Sequence, residues 1–157
     1  GGWRHRTPPC AVGAPAAAAQ AISPPPHLET ARRVALEGGG LSGFTTVRLK
    51  NLDLAVSPKE LARVLNAHGF KDSYDMVYIP LDATKKAKNR SIAFVNFRES
   101  TAAEAVYQKF HNQEMPSAGM PGKALEVTPA YVQGFEENIA LHLPSLVPMQ
   151  NCILCLY

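Results

Sequence analysis

The sequence predicts an α+β domain in which two helices back a four-stranded antiparallel sheet, with a further helix appended after the last strand. Apolar residues alternate along four short segments, as on strands whose successive side chains face opposite sides of a sheet. Two segments between them carry apolar residues at helical spacing instead. The order is β-α-β-β-α-β, which is the ferredoxin-like split βαβ arrangement.

The first strand is predicted at residues 46–52, with Val47 and Leu49 facing inward and Arg48 and Lys50 facing outward. A helix follows after a short loop. Ser57 is a good N-cap, Pro58 suits the first helical position, and Glu60 completes a capping box. The apolar face that follows consists of Leu61, Val64 and Leu65 with His68, and Gly69 ends the helix.

The second strand is predicted at residues 74–79, with Val77 and Ile79 inward. Met76 and Tyr78 would then face outward, unless a bulge reverses the assignment. A hairpin loop at residues 82–89 leads into the third strand and carries three lysines, Lys85, Lys86 and Lys88.

The third strand, residues 90–97, organises the rest of the chain. Its inward set is Ala93, Val95 and Phe97, and its outward set is Arg90, Ile92, Phe94 and Asn96. An exposed phenylalanine beside an arginine is unusual on a solvated face. The combination suits a surface on which a nucleic-acid base can stack.

Three elements complete the prediction. A second helix is capped by Ser100 or Thr101, a fourth strand covers residues 122–127 with Leu125 and Val127 inward, and a third helix covers residues 134–143. The apolar stripe of the second helix is Ala102, Ala105, Val106 and Phe110. That of the third is Phe135, Ile139 and Leu143, which either extends the core or gates the sheet.

Composition predicts three regions. Residues 1–43 contain 22 Pro, Gly and Ala residues and are expected to form a disordered linker, in which residues 28–37 could form a short helix ended by glycines. Residues 44–143 are the folded domain, and residues 144–157 are an apolar tail. Because the chain begins with Gly1, we expect it to be a piece of a longer protein.

The net charge of +3 and the pI of 8.8 favour a polyanionic partner only weakly, so local placement of charge has to identify one. Cys10, Cys152 and Cys155 all lie outside the patterned region, which excludes a disulfide framework for the core. No apolar run is long enough to span a bilayer. We expect no catalytic residue, metal or cofactor.

The sheet face that the two helices leave open is therefore where function is expected. It would hold a single strand of nucleic acid without chemistry, with Phe94 as the stacking ring and the basic loop at its edge. The candidate nucleic-acid-binding residues are Arg48, Lys50, Tyr78, Lys85, Lys86, Lys88, Arg90, Ile92, Phe94 and Asn96.

The patterned region resembles an RNA recognition motif, most closely the C-terminal motif of the Mei-two-like (meiosis regulator) family. The matching residues are Thr45-Thr46-Val47, Lys50-Asn51, Tyr74-Asp75, Tyr78, Pro80, Asp82, Ala93-Phe94-Val95-Asn96-Phe97, Ala130, Gln133-Gly134 and Ile139. The resemblance implies single-stranded RNA binding and post-transcriptional regulation in the nucleus and/or the cytoplasm.

The chain departs from the general motif at three positions. Arg48 and Ile92 stand where most such domains have aromatic residues, and Ser91 stands where they have glycine. With one stacking ring left at these positions, we expect modest affinity in which backbone contacts weigh more than stacking.

Two other functions fit the same framework. One is a protein-interaction module that grips its partner through the helical face, the depleted sheet face or the apolar tail. The other is a small acyl-phosphate hydrolase, which needs an anion-binding loop with a positioned Arg and an Asn to orient water. Arg48 and Asn51 lie on a strand with no Gly-rich loop after them.

Overall fold

The structure is a computed structural model that describes residues 27–82, 88–89, 91–142 and 153–155. The helices are α1 (Leu28–Leu36), α2 (Pro58–Ala67), α3 (Ser100–Phe110) and α4 (Phe135–His142). The strands are β1 (Thr46–Lys50), β2 (Tyr74–Tyr78), β3 (Leu81–Asp82), β4 (Lys88–Asn89), β5 (Ile92–Phe97), β6 (Glu126–Pro129) and β7 (Ile153–Cys155).

The main sheet is antiparallel, with the strand order β6-β1-β5-β2-β7. The strands β6, β1, β5 and β2 form the predicted split βαβ sheet. The fold class is therefore confirmed. In the centre, Arg48 of β1 lies opposite Phe94 of β5. The short strands β3 and β4 form a separate hairpin.

The fifth strand, β7, corrects the interpretation of residues 144–157 as a plain apolar tail. Residues 153–155 pair with β2, with Val77 opposite Leu154. Without this pairing, β2 would present a row of unpaired backbone groups at the sheet edge. The other residues of the predicted tail lie outside the described part of the chain.

One face of the sheet carries the hydrophobic core, as the alternation predicts. Val47, Leu49, Val77, Ile79, Ala93, Val95 and Phe97 are all buried there together with residues of α2 and α3. The capping box of α2 is confirmed, because the Glu60 backbone N–H donates to Ser57 Oγ and the Ser57 N–H donates to the Glu60 carboxylate. The Gly69 that follows α2 has a φ of +92°.

A bulge interrupts β2 without reversing its faces. The register with β5 shifts between Tyr74 and Met76, so Tyr74 joins Val77 in the core. Met76 and Tyr78 face the opposite side, as predicted. Both are nevertheless buried, which the sequence did not indicate.

The helix α1 corrects the predicted boundary at residue 43. Leu28 and Ala31 pack with Phe44, while Ala35 and Leu41 enter the main core. The Tyr107 hydroxyl donates to the Ala35 carbonyl. An average over 43 residues conceals the amphipathic spacing of this short segment, so the folded part already includes residues 28–43. Residues 1–26 of the predicted linker lie outside the described residues.

The core face of α3 is rotated from its predicted position. Its buried residues are Ala103, Val106, Tyr107 and Phe110, whereas Ala105 is exposed and Ala102 only partly buried. Val106 and Phe110 fit either stripe, and the packing of Tyr107 against α1 selects the observed one. The N-cap is Glu99, with no side-chain capping bond, rather than Ser100 or Thr101.

Candidate nucleic-acid interface

The sheet face opposite α2 and α3 is partly covered by α4. The ring of His142, at the end of α4, stacks on Tyr78 with 4.1 Å between centroids and an interplanar angle of 26°. It also lies 5.7 Å from the Phe94 ring, and Tyr78 and Phe94 stand 6.1 Å apart across β2 and β5. The three rings therefore form one stack, and Tyr78 is only 9% exposed.

Burial in this stack changes the acid–base behaviour of His142. Desolvation lowers its pKa from 6.5 to about 4, because a charged imidazolium loses hydration that the neighbouring rings do not replace. The ring that covers Tyr78 is therefore neutral at pH 7.

The helix α4 is fastened to the sheet by polar bonds rather than by the predicted apolar stripe. Its buried residue is Asn138, at 1% exposure, whereas Phe135 and Ile139 are partly exposed. Asn138 Nδ2 lies 2.7 Å from the Gly134 carbonyl oxygen, 3.2 Å from that of Val132 and 3.2 Å from Thr46 Oγ1. The predicted stripe residue Leu143 lies outside the described residues.

The hydroxyl of Thr46 is the centre of this network. It donates to Asn96 Oδ1 at 2.6 Å and accepts from the Gly134 N–H at 2.9 Å and from Asn138 Nδ2. One donor and two acceptor positions are thus all used, which is the full capacity of a hydroxyl. Asn96 in turn donates from Nδ2 to Asp75 Oδ1 at 2.8 Å.

A second group of hydrogen bonds, made by Gln133, joins β1 to the segment after β6. Gln133 Oε1 accepts from the backbone N–H groups of Thr45 and Thr46, both at 2.9 Å. Its Nε2 donates to the Thr46 and Ala130 carbonyls. Thr46, Asp75, Asn96 and Gln133 all belong to the residues that resemble the Mei-two-like family. Thr46 and Gln133 join β1 to the segment after β6, and Asn96 and Asp75 extend the network across the sheet.

Asn96 was expected on the exposed face, and that expectation of exposure is wrong. The side chain is 3% exposed and is used by Thr46 and Asp75. Alternation alone puts Asn96 on the outer face correctly, but it cannot show that another element covers that face. The sequence signal that could have indicated it is the polar set Thr46, Gln133 and Asn138 flanking apolar strands.

The part of the face beyond α4 is a groove of about 270 Å³. We call it the Arg48 groove; its lining is Arg32, Arg48, Phe94, Ala130, Tyr131, Val132, Asn138, Leu141 and His142. Arg48 Nε is buried and has no hydrogen-bond partner among the described residues. The pKa of Arg48 is lowered, first by desolvation and next by the positive charge of Arg32.

Arg32 comes from α1, which sequence reasoning treated as part of a linker. Its Cζ lies 4.2 Å from the centre of the Tyr131 ring, and its Nε donates to the Pro129 carbonyl at 3.3 Å. Tyr131 itself is 46% exposed. Neither Arg32 nor Tyr131 was among the predicted site residues, because nothing in the local sequence relates α1 to the end of β6.

Two other predicted site residues, Lys50 of β1 and Ile92 of β5, are not part of the groove lining. Lys50 is exposed and lies opposite the partly exposed Ile92. Lys88 lies in β4, and its side chain is not described. Lys85, Lys86 and Arg90 lie outside the described residues.

Ser91 adopts a backbone conformation that favours glycine. Its φ is +68°, in the left-handed region. The Ser91 hydroxyl donates to the Leu52 carbonyl at 2.7 Å, and the Leu52 N–H donates back to the Ser91 carbonyl at 3.0 Å. A glycine at this position, as in the general motif, would adopt this positive φ without strain. Ser91 adopts it as well, and its hydroxyl forms a local hydrogen bond.

The asparagine of the hydrolase alternative is engaged elsewhere. Asn51 has a φ of +72° and donates from Nδ2 to the Ala124 carbonyl at 2.8 Å, so it stabilises a turn. Within the described ranges, no group of three His, Cys, Asp or Glu side chains could hold a metal ion. No described helix is long and apolar enough to cross a membrane.

Comparison with known proteins gives a curated relative. Over 81 residues the chain is 35% identical to "Protein MEI2-like 6" of Oryza sativa subsp. japonica. The chain resembles the Mei-two-like proteins. The matched segment is 52% of this chain and 24% of the relative, so the chain spans about a quarter of that protein. No family model matches the chain.

Among solved structures, an Sxl-lethal protein/RNA complex has 21% identity and a TM-score of 0.47, covering 55% of this chain and 47% of that one. The second RRM domain of yeast poly(U)-binding protein has 19% identity and a TM-score of 0.43, covering 58% and 99%. The RNA15 RRM has 11% identity and a TM-score of 0.45, covering 63% and 97%. Likeness at this level concerns the backbone arrangement alone.

Proposed function

We propose that this domain binds single-stranded RNA at the Arg48 groove, as part of a post-transcriptional regulator in the nucleus and/or the cytoplasm. The observation that carries the proposal is that Arg48 and Phe94, which lie opposite each other on neighbouring strands, both line this groove. A base can stack on the ring while the guanidinium binds a phosphate or a base edge.

The intramolecular stack supports the same chemistry. The flat ring of His142 already packs against Tyr78 and Phe94, so this face accepts a planar group. The proposal places RNA on the Phe94 side and leaves Tyr78 under α4. Lys50, Lys85, Lys86, Lys88 and Arg90 would then contribute phosphate contacts along the edge of the sheet.

A fluorescence anisotropy titration with a labelled short single-stranded RNA tests this function. Phe94→Ala is expected to weaken binding by about 1–3 kcal/mol, which is the usual contribution of one base stacked on an aromatic ring. The matched control is Leu36→Ala, which removes an exposed apolar side chain of α1 and should leave affinity unchanged. Equal binding by Phe94→Ala and the parent would contradict the stacking assignment.

One observation favours the alternative of a protein-interaction module. The covering of Tyr78 by His142 removes a second ring from the face that RNA would use. His142→Ala removes that ring from Tyr78. If neither the parent nor His142→Ala shows salt-dependent binding of single-stranded RNA, the interaction module becomes the better interpretation.

A further inference from the structure

We infer that the Arg48 groove is a pocket for a single phosphorylated nucleotide, whose phosphate is held between Arg32 of α1 and Arg48 of β1. The inference rests on the proposed function and names the group that the groove recognises. It also makes α1, which precedes the four-stranded unit, a part of the binding site.

Arg32 is positioned before any ligand arrives. The neighbouring Ala31 packs with Leu28 and Phe44, which seats α1 beside the sheet. The guanidinium then lies over Tyr131, and its Nε–H is used by the Pro129 carbonyl. The remaining donors of Arg32 are on its two terminal nitrogens, which is the part of a guanidinium that forms paired bonds to phosphate oxygens.

Arg48 supplies the second cation from the floor of the groove. Burial lowers the pKa of Arg48 and the positive charge of Arg32 lowers it further, while Glu126 and Tyr131 act in the opposite direction. Within the part of the chain that the structure describes, neither arginine forms an ion pair with a carboxylate. Two arginines that line one groove, neither paired with a described carboxylate, are best satisfied by an anion between them.

The size and lining of the groove limit the ligand. A volume of about 270 Å³ lies just below the range of roughly 300–1,000 Å³ that is usual for small-molecule sites. This suits one nucleotide rather than several. Phe94, Leu141 and His142 provide an apolar wall for the base, while the two arginines provide the charged end.

The first arm of the test uses free ligands. The parent is titrated with adenosine 5′-monophosphate and with adenosine, and binding is followed by NMR chemical shifts. We expect the monophosphate to bind about tenfold more tightly, because charge-assisted hydrogen bonds form only with the phosphate. Arg32→Gln should abolish this preference, and Arg33→Gln, on the exposed side of the same helix, should retain it.

Arg48→Gln is the second variant and acts from a different element. It should lose the same preference for the monophosphate. Because Arg48 lies on β1, this loss could not be explained by unfolding of α1 alone. Thermal unfolding of all variants is measured alongside. If folded Arg32→Gln and Arg48→Gln still prefer the monophosphate, the pocket is wrong.

The second arm uses the labelled RNA of the preceding section. Arg32→Gln should weaken binding about tenfold and reduce the salt slope by about 0.7, the value for one phosphate contact on a single strand. RNA binding that depends on Phe94 but not on Arg32, with no preference for the monophosphate, would overturn the pocket and keep the proposed function. Preference for the monophosphate without RNA binding would keep the pocket and overturn the proposed function. Binding of neither ligand would overturn both.

Discussion

The two faces of the sheet are held by different kinds of interaction. On one face, α2 and α3 bury a continuous set of apolar side chains. On the other, α4 is fastened by a small number of directed hydrogen bonds around Thr46, and part of the face stays accessible as the Arg48 groove. An apolar face tolerates small shifts in packing, whereas a polar network keeps its value only while every partner is in place. The first face therefore stabilises the domain, and the second positions α4 beside a charged groove.

The largest expected effect is on the apolar face. Val95→Asp puts an unpaired carboxylate at a fully buried position and should cost more than about 4 kcal/mol, enough to unfold the domain. Far-UV circular dichroism during thermal unfolding measures this. The control is Phe94→Ala, one residue away on the other face, which should leave a folded domain. A similar loss of structure in both variants would show that the two faces do not differ in this way.

An intermediate effect is expected at the centre of the polar network. Thr46→Val keeps the shape of the side chain but leaves Asn96 Oδ1, the Gly134 N–H and Asn138 Nδ2 each without one partner. We expect a loss of about 2–3 kcal/mol in the free energy of unfolding, since unsatisfied buried polar groups are costly. Denaturant unfolding is the measurement.

The control for this substitution is Thr45→Val. Thr45 is partly exposed, and its hydroxyl makes one longer bond of 3.3 Å to Asn96, so its loss should change stability by well under half as much. Comparable effects of the two valine substitutions would show that the network does not hold α4.

The third effect concerns pH. His142 has a lowered pKa of about 4 when stacked, against 6.5 when exposed, so the undocked state binds more protons between these values. The docked position of α4 is therefore fully favoured above about pH 6.5 and loses stability as the pH falls towards 4. NMR signals of the Tyr78 and His142 rings should report the change.

His142→Phe keeps a ring on Tyr78 but cannot titrate, and it is the matched variant for the pH experiment. Its Tyr78 signals should change less than those of the parent between pH 6.5 and 4. This separates His142 from His111, whose pKa is also lowered by burial. A parent protein whose Tyr78 signals stay constant over the same interval would exclude a pH-dependent cover.

The local elements were the most predictable part of this protein. The capping box of α2 depends on residues three positions apart, and the core face of β5 depends on strict alternation, so both could be predicted from adjacent residues. The buried face of α3 could not be predicted in this way. The predicted stripe and the observed one both contain Val106 and Phe110, and their other residues differ by only one or two positions. The candidate site was predicted in part: Arg48 and Phe94 lie in the groove, Asn96 is buried, and Arg32 was missed.

By itself, the sequence determined the order of the central elements and which side chains of each strand face the core, because these follow from the periods of strand and helix and from local capping. Only the tertiary structure decided that α1 joins the domain, that α4 crosses the outer face, and that Arg32 and Arg48 share one groove. These features depend on contacts between segments far apart in the chain, and such contacts are selected by the packing of the whole domain rather than by any local pattern.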